Sequence, residues 1–120
     1  MYNKVFLIGR LVRDAEVRVT VSGISIARFT VAVDRFRRRD TGGGETDFLR
    51  VVCFRRLAEV AGQYLKKGKL ISVEGAIRFD SYEKDGQQRE SVEIHADGFQ
   101  MLDKISSGDA HRMEQPSEVV

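Results

Sequence analysis

Apolar and polar residues alternate with a period of two along much of this chain, and that pattern limits its fold more than any other feature. In 25–36, Ala27, Phe29, Val31 and Val33 fall on one side and polar residues on the other. Such alternation is typical of a strand with one buried face. The pattern, together with a segment rich in β-formers near the start, predicts strands over 4–12, 25–36, 47–54, 70–80 and 91–96.

One segment between the third and fourth predicted strands has helical spacing instead. Apolar residues recur three or four positions apart from 57 to 65, and Gly68 follows as a helix stop. The order β-β-β-α-β-β is that of the OB-fold, a small barrel whose face and loops commonly hold oligonucleotides. We therefore expect an all-β chain with a five-stranded OB-fold barrel and one α-helix between strands 3 and 4. The connections 37–46 and 83–89 predict long β-hairpin arms, the second with an Asp85-Gly86 turn.

The formal net charge of +2 is unevenly distributed. Residues 1–102 carry a net charge of +4, whereas 103–120 carry −2 and hold few large apolar groups. Such a segment cannot repay the entropy of ordering. A chain of 120 residues has room for one core. The expected organisation is one OB-fold domain over 1–104 and a disordered C-terminal tail over 105–120.

Four aromatic residues are out of phase with the predicted core. They are Phe36, Phe48, Phe54 and Tyr82, and each shares its strand face with arginine or lysine. Phe29 and Phe79, by contrast, are in phase with the core and are predicted to pack there. An exposed aromatic ring can stack on an unpaired base, at about 1–3 kcal/mol per base, while nearby cations meet the phosphates. The predicted phosphate or sugar contacts are Arg28, Arg35, Arg37, Arg50, Arg55, Arg78 and Lys84.

This pattern favours a protein that binds single-stranded nucleic acid with little sequence preference, because every base offers a face for stacking. Other interpretations of the same residues stay open. The aromatic rings can serve packing or an oligomer interface, and the arginine run can be a solvated charged surface. At the level of function, the alternatives are an RNA-binding domain of cold-shock type and an OB-fold adaptor subunit of primosomal type.

Catalytic and metal-binding patterns are not evident. The single cysteine, Cys53, is in core phase and excludes an internal disulfide, and His95 is interpreted as a surface strand residue. Asp34, Asp47 and Asp97 belong to separate elements, which indicates scattered surface charge. We therefore expect no enzyme activity, no metal and no cofactor. No run of 18 apolar residues occurs, so no membrane association is expected, and the predicted location is the cytoplasm, in association with the nucleoid.

The sequence closely resembles the bacterial single-stranded DNA-binding protein family. The similarity covers nearly all of 1–104 and includes the segments NKVFLIGRLVRDAEVR, RFTVAVDRF, TDFLRVVCFRRLAEVAGQYLKKG, LISVEGAIR and FQMLDK. It implies an OB-fold homotetramer that binds and protects single-stranded DNA in replication, recombination and repair. The family's base-stacking positions correspond here to Phe36, Phe48, Phe54 and Tyr82. Several of these are tryptophan in familiar members, so weaker stacking per base is expected here.

The C-terminal end departs from that family pattern. Members that serve the replication fork usually end in a long linker and an acidic tip that closes on Pro-Phe and docks partner enzymes. This chain ends in HRMEQPSEVV. The usual docking tip is therefore missing, while replication and repair proteins stay among the candidate partners. A specialised phage, plasmid or transformation-related paralogue is an alternative role.

Overall fold

Six strands and one helix form the body of the protein in a computed structural model, which describes residues 1–35 and 44–103. The elements are β1 (Val5–Leu11), β2 (Glu16–Val19), β3 (Ser25–Asp34), β4 (Thr46–Phe54), α1 (Arg56–Tyr64), β5 (Leu70–Lys84) and β6 (Gln87–Met101). The predicted mostly-β architecture with one helix after the segment 47–54 is confirmed. Phe36, Arg37 and the predicted tail 105–120 lie outside the described residues.

The short strand β2 is the element that the sequence did not predict. It pairs antiparallel with the first part of β3, from Glu16↔Arg28 to Val19↔Ser25. All four of its residues are exposed, so it has no buried face to produce a visible alternation. The helix therefore lies between the fourth and fifth strands of the structure, although its position along the sequence is the predicted one.

The sheet closes on itself through β1. Its strand order is β1-β5-β6-β4-β3-β2, and β1 also pairs with β3 at Arg10↔Ala32. Gly9 makes this crossing possible, because a Cβ atom at that position would overlap the backbone carbonyl of Ala32. The β4–β6 pair is parallel, with Val51↔Ile94 and Val52↔His95 in register, whereas the other pairs are antiparallel. These pairings produce the closed barrel that the element order predicted.

The core fills the barrel and extends beneath the helix. Phe29 packs edge-to-face against Phe99, with ring centroids 6.4 Å apart. Cys53 is fully buried, as its phase predicted. The other buried apolar side chains are Leu7, Leu11, Ala27, Val31, Val51, Val52, Leu57, Ala58, Ala61, Leu65, Ile71, Val73, Ile94 and Met101. Since α1 contributes Leu57, Ala58 and Ala61, it closes one end of the barrel rather than forming a separate layer.

The β5–β6 hairpin projects beyond the barrel as one of the two predicted arms. Its strands pair continuously to Lys84↔Gln87, and Asp85 and Gly86 turn the chain with φ of 54° and 75°. Two positive φ values are those of a type I′ turn, for which Asp-Gly is favoured. The arm is thus longer and more regular than the predicted loop 83–89.

Phe79 was predicted to lie in the core, and that prediction is wrong. Its side chain is 66% exposed, and its cross-strand partner Val92 is 41% exposed. Both residues keep the phase of the buried residues Val73 and Ile94. They lie where the hairpin has left the barrel, so the same strand face has no core to pack against.

Candidate nucleic-acid interface

Strand β4 displays two of the predicted aromatic side chains on one side of the barrel, next to β3. In the β3–β4 pair, Phe48 lies opposite Ala32 and Phe54 lies opposite Ile26. Thr30 and Arg50 form another pair in the same phase. Phe48 is 65% exposed and Phe54 is 38% exposed, whereas the intervening odd-numbered residues point toward the core. The prediction that these rings lie away from the aliphatic core is therefore confirmed.

The projecting hairpin extends this surface. Val52 on β4 is in register with His95 on β6, and His95 lies opposite Ala76 on β5. Further along the hairpin Arg78 pairs with Glu93, and Tyr82 pairs with Arg89. We use the name outer sheet face for one surface of these strands. It is formed by the even-numbered positions of β3, β4 and β5 and by the odd-numbered positions 87–95 of β6. Tyr82, 46% exposed, lies on it.

His95 is an aromatic member of this face that the sequence did not identify as a binding residue. Its ring centroid lies 5.5 Å from that of Phe54, with the ring planes at 46°. Its side chain is 31% exposed. The sequence interpretation of His95 as a surface strand residue is consistent with this position. Its contact with Phe54 depends on the parallel β4–β6 pairing, which no local sequence pattern reveals.

Most of the predicted cations also lie on the outer sheet face. Arg28, Arg50, Arg78 and Lys84 occupy its even-numbered positions and are exposed. Arg28 lies 3.6 Å from a carboxylate oxygen of Glu93. A cleft of about 210 Å³ opens beside these residues, with Phe29 in its wall. Its polar lining consists of Arg13, Asp14, Glu16, Arg28, Thr30, Arg50 and Glu93.

Arg35 has a different setting from the other predicted phosphate contacts. Its Nε donates to both oxygens of Asp47 at 3.2 and 3.1 Å, and its Nη2 donates to Oδ1 at 2.9 Å. Nη1 donates to Oε2 of Glu45 at 2.6 Å. The Asp47 carboxylate raises the pKa of Arg35, and the guanidinium in turn lowers the pKa of Asp47. In this structure Arg35 joins the end of β3 to the start of β4.

Arg55 lies at the junction of β4 and α1 rather than within the strand alternation. Its backbone has φ of 60° and ψ of −129°, and its N–H donates to the carbonyl of Ser25 at 2.7 Å. This is a left-handed conformation that glycine adopts most easily. Arg55 is exposed and directly follows Phe54, a residue of the outer sheet face, in the sequence.

The described residues offer little for catalysis. Within 1–35 and 44–103, no group of three or more His, Cys, Asp or Glu side chains is arranged to hold a metal ion. Burial raises the pKa of the Cys53 thiol to about 12, so the thiolate that a nucleophile requires is disfavoured. In the same part of the chain, no helix has the length and apolar character needed to cross a membrane.

Comparison with known proteins relates this chain to single-strand binding proteins. The model of the Single-strand binding protein family matches residues 2–102. The chain is 42% identical to the single-stranded DNA-binding protein of Thermotoga maritima, covering 98% of this chain and 86% of the relative. It is 46% identical to single-stranded DNA-binding protein 2 of Streptococcus agalactiae, covering 88% of this chain and 81% of the relative.

A solved structure shares the fold. The complex of the Plasmodium falciparum SSB with ssDNA superimposes with a TM-score of 0.77 at 26% identity, covering 86% of this chain and 96% of that one. The similarity in sequence and in fold spans nearly the whole described body, including the strands that carry Phe48, Phe54 and Tyr82. The chain belongs to the single-strand binding protein family.

Proposed function

We propose that this protein binds single-stranded DNA without strong sequence preference, and that the DNA runs across the outer sheet face. The observation that carries the proposal is the position of Phe48, Phe54 and Tyr82 on one surface that also displays Arg28, Arg50 and other cations. Relatives named single-stranded DNA-binding protein, at 42–46% identity, support the same function. Membership in this family agrees with the expectation of a non-enzymatic binding protein.

Two kinds of contact are assigned to this surface. Phe48, Phe54 and Tyr82 stack on bases, and each stack contributes about 1–3 kcal/mol. Exposed arginines and Lys84 contact phosphates, which adds affinity that falls as salt rises. Phe36 and Arg37 belong to the same predicted set, and we assign them the same roles. We also retain Arg55 as a phosphate contact, whereas Arg35 must first exchange its two carboxylate partners for phosphate.

The proposal predicts discrimination between single and double strands. Stacking requires unpaired bases, and a duplex hides the faces of its bases. The test compares the binding of fluorescent oligo-dT with that of a duplex of equal length, at two salt concentrations. Preference for oligo-dT at both concentrations supports the proposal, and equal affinity for both ligands refutes it. Oligo-rU in the same assay distinguishes a DNA-binding protein from one that binds RNA equally well.

We further propose that the protein assembles with itself, as a homotetramer. Support comes from β1, where Phe6 and Ile8 are 64% and 47% exposed while the alternate residues Leu7 and Gly9 are buried. A strand with apolar side chains on its exposed face is poorly suited to remain in water. Light scattering during size-exclusion chromatography measures the mass directly: four chains are expected, and a monomer at micromolar concentration contradicts this assignment.

The biological setting that we propose is protection of single-stranded DNA during replication, recombination and repair, in the cytoplasm. A pull-down with the full chain, with and without oligo-dT, separates proteins that bind the chain from proteins that bind the DNA it carries.

A further inference from the structure

An acidic side chain, Glu93, lies on the outer sheet face between cations. Its Oε2 is 3.6 Å from Nε of Arg28, and its Oε1 is 4.0 Å from Nε2 of His95. Arg78 is its cross-strand partner on β5. The Glu93 side chain is only 21% exposed, compared with 57% for that of Arg28. A carboxylate is thus held at a position where the proposed function requires phosphates to approach.

We propose that Glu93 is an internal counter-anion of this face, which competes with DNA phosphates for Arg28 and thereby sets the affinity and salt dependence of binding. The inference rests on the proposed function, because it concerns the same surface and the same ligand. It assigns a role to an acidic residue, whereas the contacts proposed above involve only aromatic and basic side chains.

The geometry of the pair indicates that it can exchange. At 3.6 Å the Arg28–Glu93 contact is longer than a hydrogen bond, and Arg28 remains exposed. The Arg35 cluster shows the opposite case, since three of its contacts to Asp47 and Glu45 are 3.1 Å or shorter. Because the Arg28–Glu93 contact is long and its arginine is mostly exposed, this ion pair adds little to fold stability. Glu93 is therefore better placed to modulate a ligand of Arg28 than to hold the barrel together.

Exchange of partners changes the number of ions released on binding. When a phosphate replaces Glu93 at Arg28, the freed carboxylate attracts a cation from solution. That uptake offsets part of the counterion release which drives phosphate binding. The negative charge of Glu93 also repels the approaching phosphate directly, by an amount that salt screens. Removing this charge therefore strengthens binding most at low salt and makes the salt dependence steeper.

The experiment titrates oligo-dT into the wild-type protein and Glu93→Gln over a range of salt concentrations. Glu90→Gln is the matched control, because Glu90 lies on the same strand but pairs with Ser81 on the opposite face of the hairpin. At low salt we expect Glu93→Gln to bind about threefold to tenfold more tightly, and Glu90→Gln to stay within about twofold. The slope of log K against log salt is expected to steepen by up to about 0.7 for Glu93→Gln.

The same Glu93→Gln substitution, made in protein that also carries Arg28→Gln, tests whether Glu93 acts through Arg28. In Arg28→Gln protein the tightening caused by Glu93→Gln is expected to become much smaller, since Glu93 then has no Arg28 to withhold from phosphate and only its direct repulsion of phosphate remains. Glu93→Asp retains the charge and is expected to retain the wild-type slope. Unchanged or weaker binding by Glu93→Gln, or tightening of the same size in Arg28→Gln protein as in the wild-type background, overturns the inference. Wild-type protein that fails to prefer oligo-dT over duplex instead overturns the proposed function itself.

Discussion

Arg55 holds a backbone conformation that costs free energy, and replacing it with glycine is expected to stabilise the fold. With φ of 60° and ψ of −129°, the residue lies outside the regions that side chains with a Cβ atom favour. Such a conformation costs about 1–3 kcal/mol. Glycine removes that cost but adds about 0.4–1 kcal/mol of unfolded-state entropy. The net expectation for Arg55→Gly is a gain of about 0.5–2 kcal/mol, or several degrees in Tm.

Arg55→Ala is the matched control, because it removes the same charge but keeps the Cβ atom and the strain. Urea denaturation followed by circular dichroism, at one protein concentration, measures the free energy of unfolding of all three proteins. We expect Arg55→Gly to be more stable than Arg55→Ala. Both variants are expected to bind oligo-dT more weakly than the wild type, and by similar factors, because both lose the same phosphate contact. Lower stability of Arg55→Gly than of Arg55→Ala refutes the argument from backbone strain.

Two further predictions concern titratable groups. Because Arg35 lowers the pKa of Asp47, this carboxylate stabilises the fold fully above its ordinary pKa of 3.8 and loses the contribution as pH falls through the lowered value. The stability difference between wild type and Asp47→Asn is therefore expected to be constant near neutral pH and to shrink in acid; a difference that grows in acid contradicts this. Burial raises the pKa of Cys53 from 9.0 to about 12, so stability is expected to be unaffected by this thiol below pH 9 and to fall between 9 and 12. Iodoacetamide at pH 8 is expected to label the native protein far more slowly than the urea-unfolded chain, and equal rates would contradict the burial of Cys53.

The sequence predicted burial best for the strands that form the wall of the barrel. In the central parts of β3 and β4 the odd-numbered side is buried, so the period of two correctly separated the core residue Phe29 from outward residues such as Phe48. Val52 is an exception, because it is even-numbered and yet fully buried. The same logic failed at Phe79, because alternation reports which side of a strand a residue occupies and not whether a core lies on that side. The hairpin arm continues the pattern after the barrel has ended.

Contacts that depend on strand pairing were beyond prediction from local patterns. Glu93 and His95 join the outer sheet face only because β6 lies parallel to β4, which brings His95 beside Phe54. Arg35 is paired with Asp47 because β3 and β4 align at their ends, with Val33↔Asp47 and Asp34↔Thr46 in register. Both contacts join residues on different strands, and neither composition nor periodicity predicts which strands pair or in what register. These pairings change the surroundings of Phe54 and Arg35, which the sequence had already indicated as binding residues.

The central claim is that exposed aromatic residues on one particular face bind DNA, and a matched pair of variants tests it most directly. Phe48 and Phe79 are exposed to nearly the same extent, at 65% and 66%, but only Phe48 lies on the outer sheet face. The measurement is oligo-dT affinity of Phe48→Ala and Phe79→Ala, with folding checked by circular dichroism and mass by light scattering. Phe48→Ala is expected to weaken binding at least fivefold, as about 1–3 kcal/mol per lost stack requires, and Phe79→Ala to stay within about twofold. Equal effects of the two substitutions, or unchanged affinity in folded Phe48→Ala, would contradict the account.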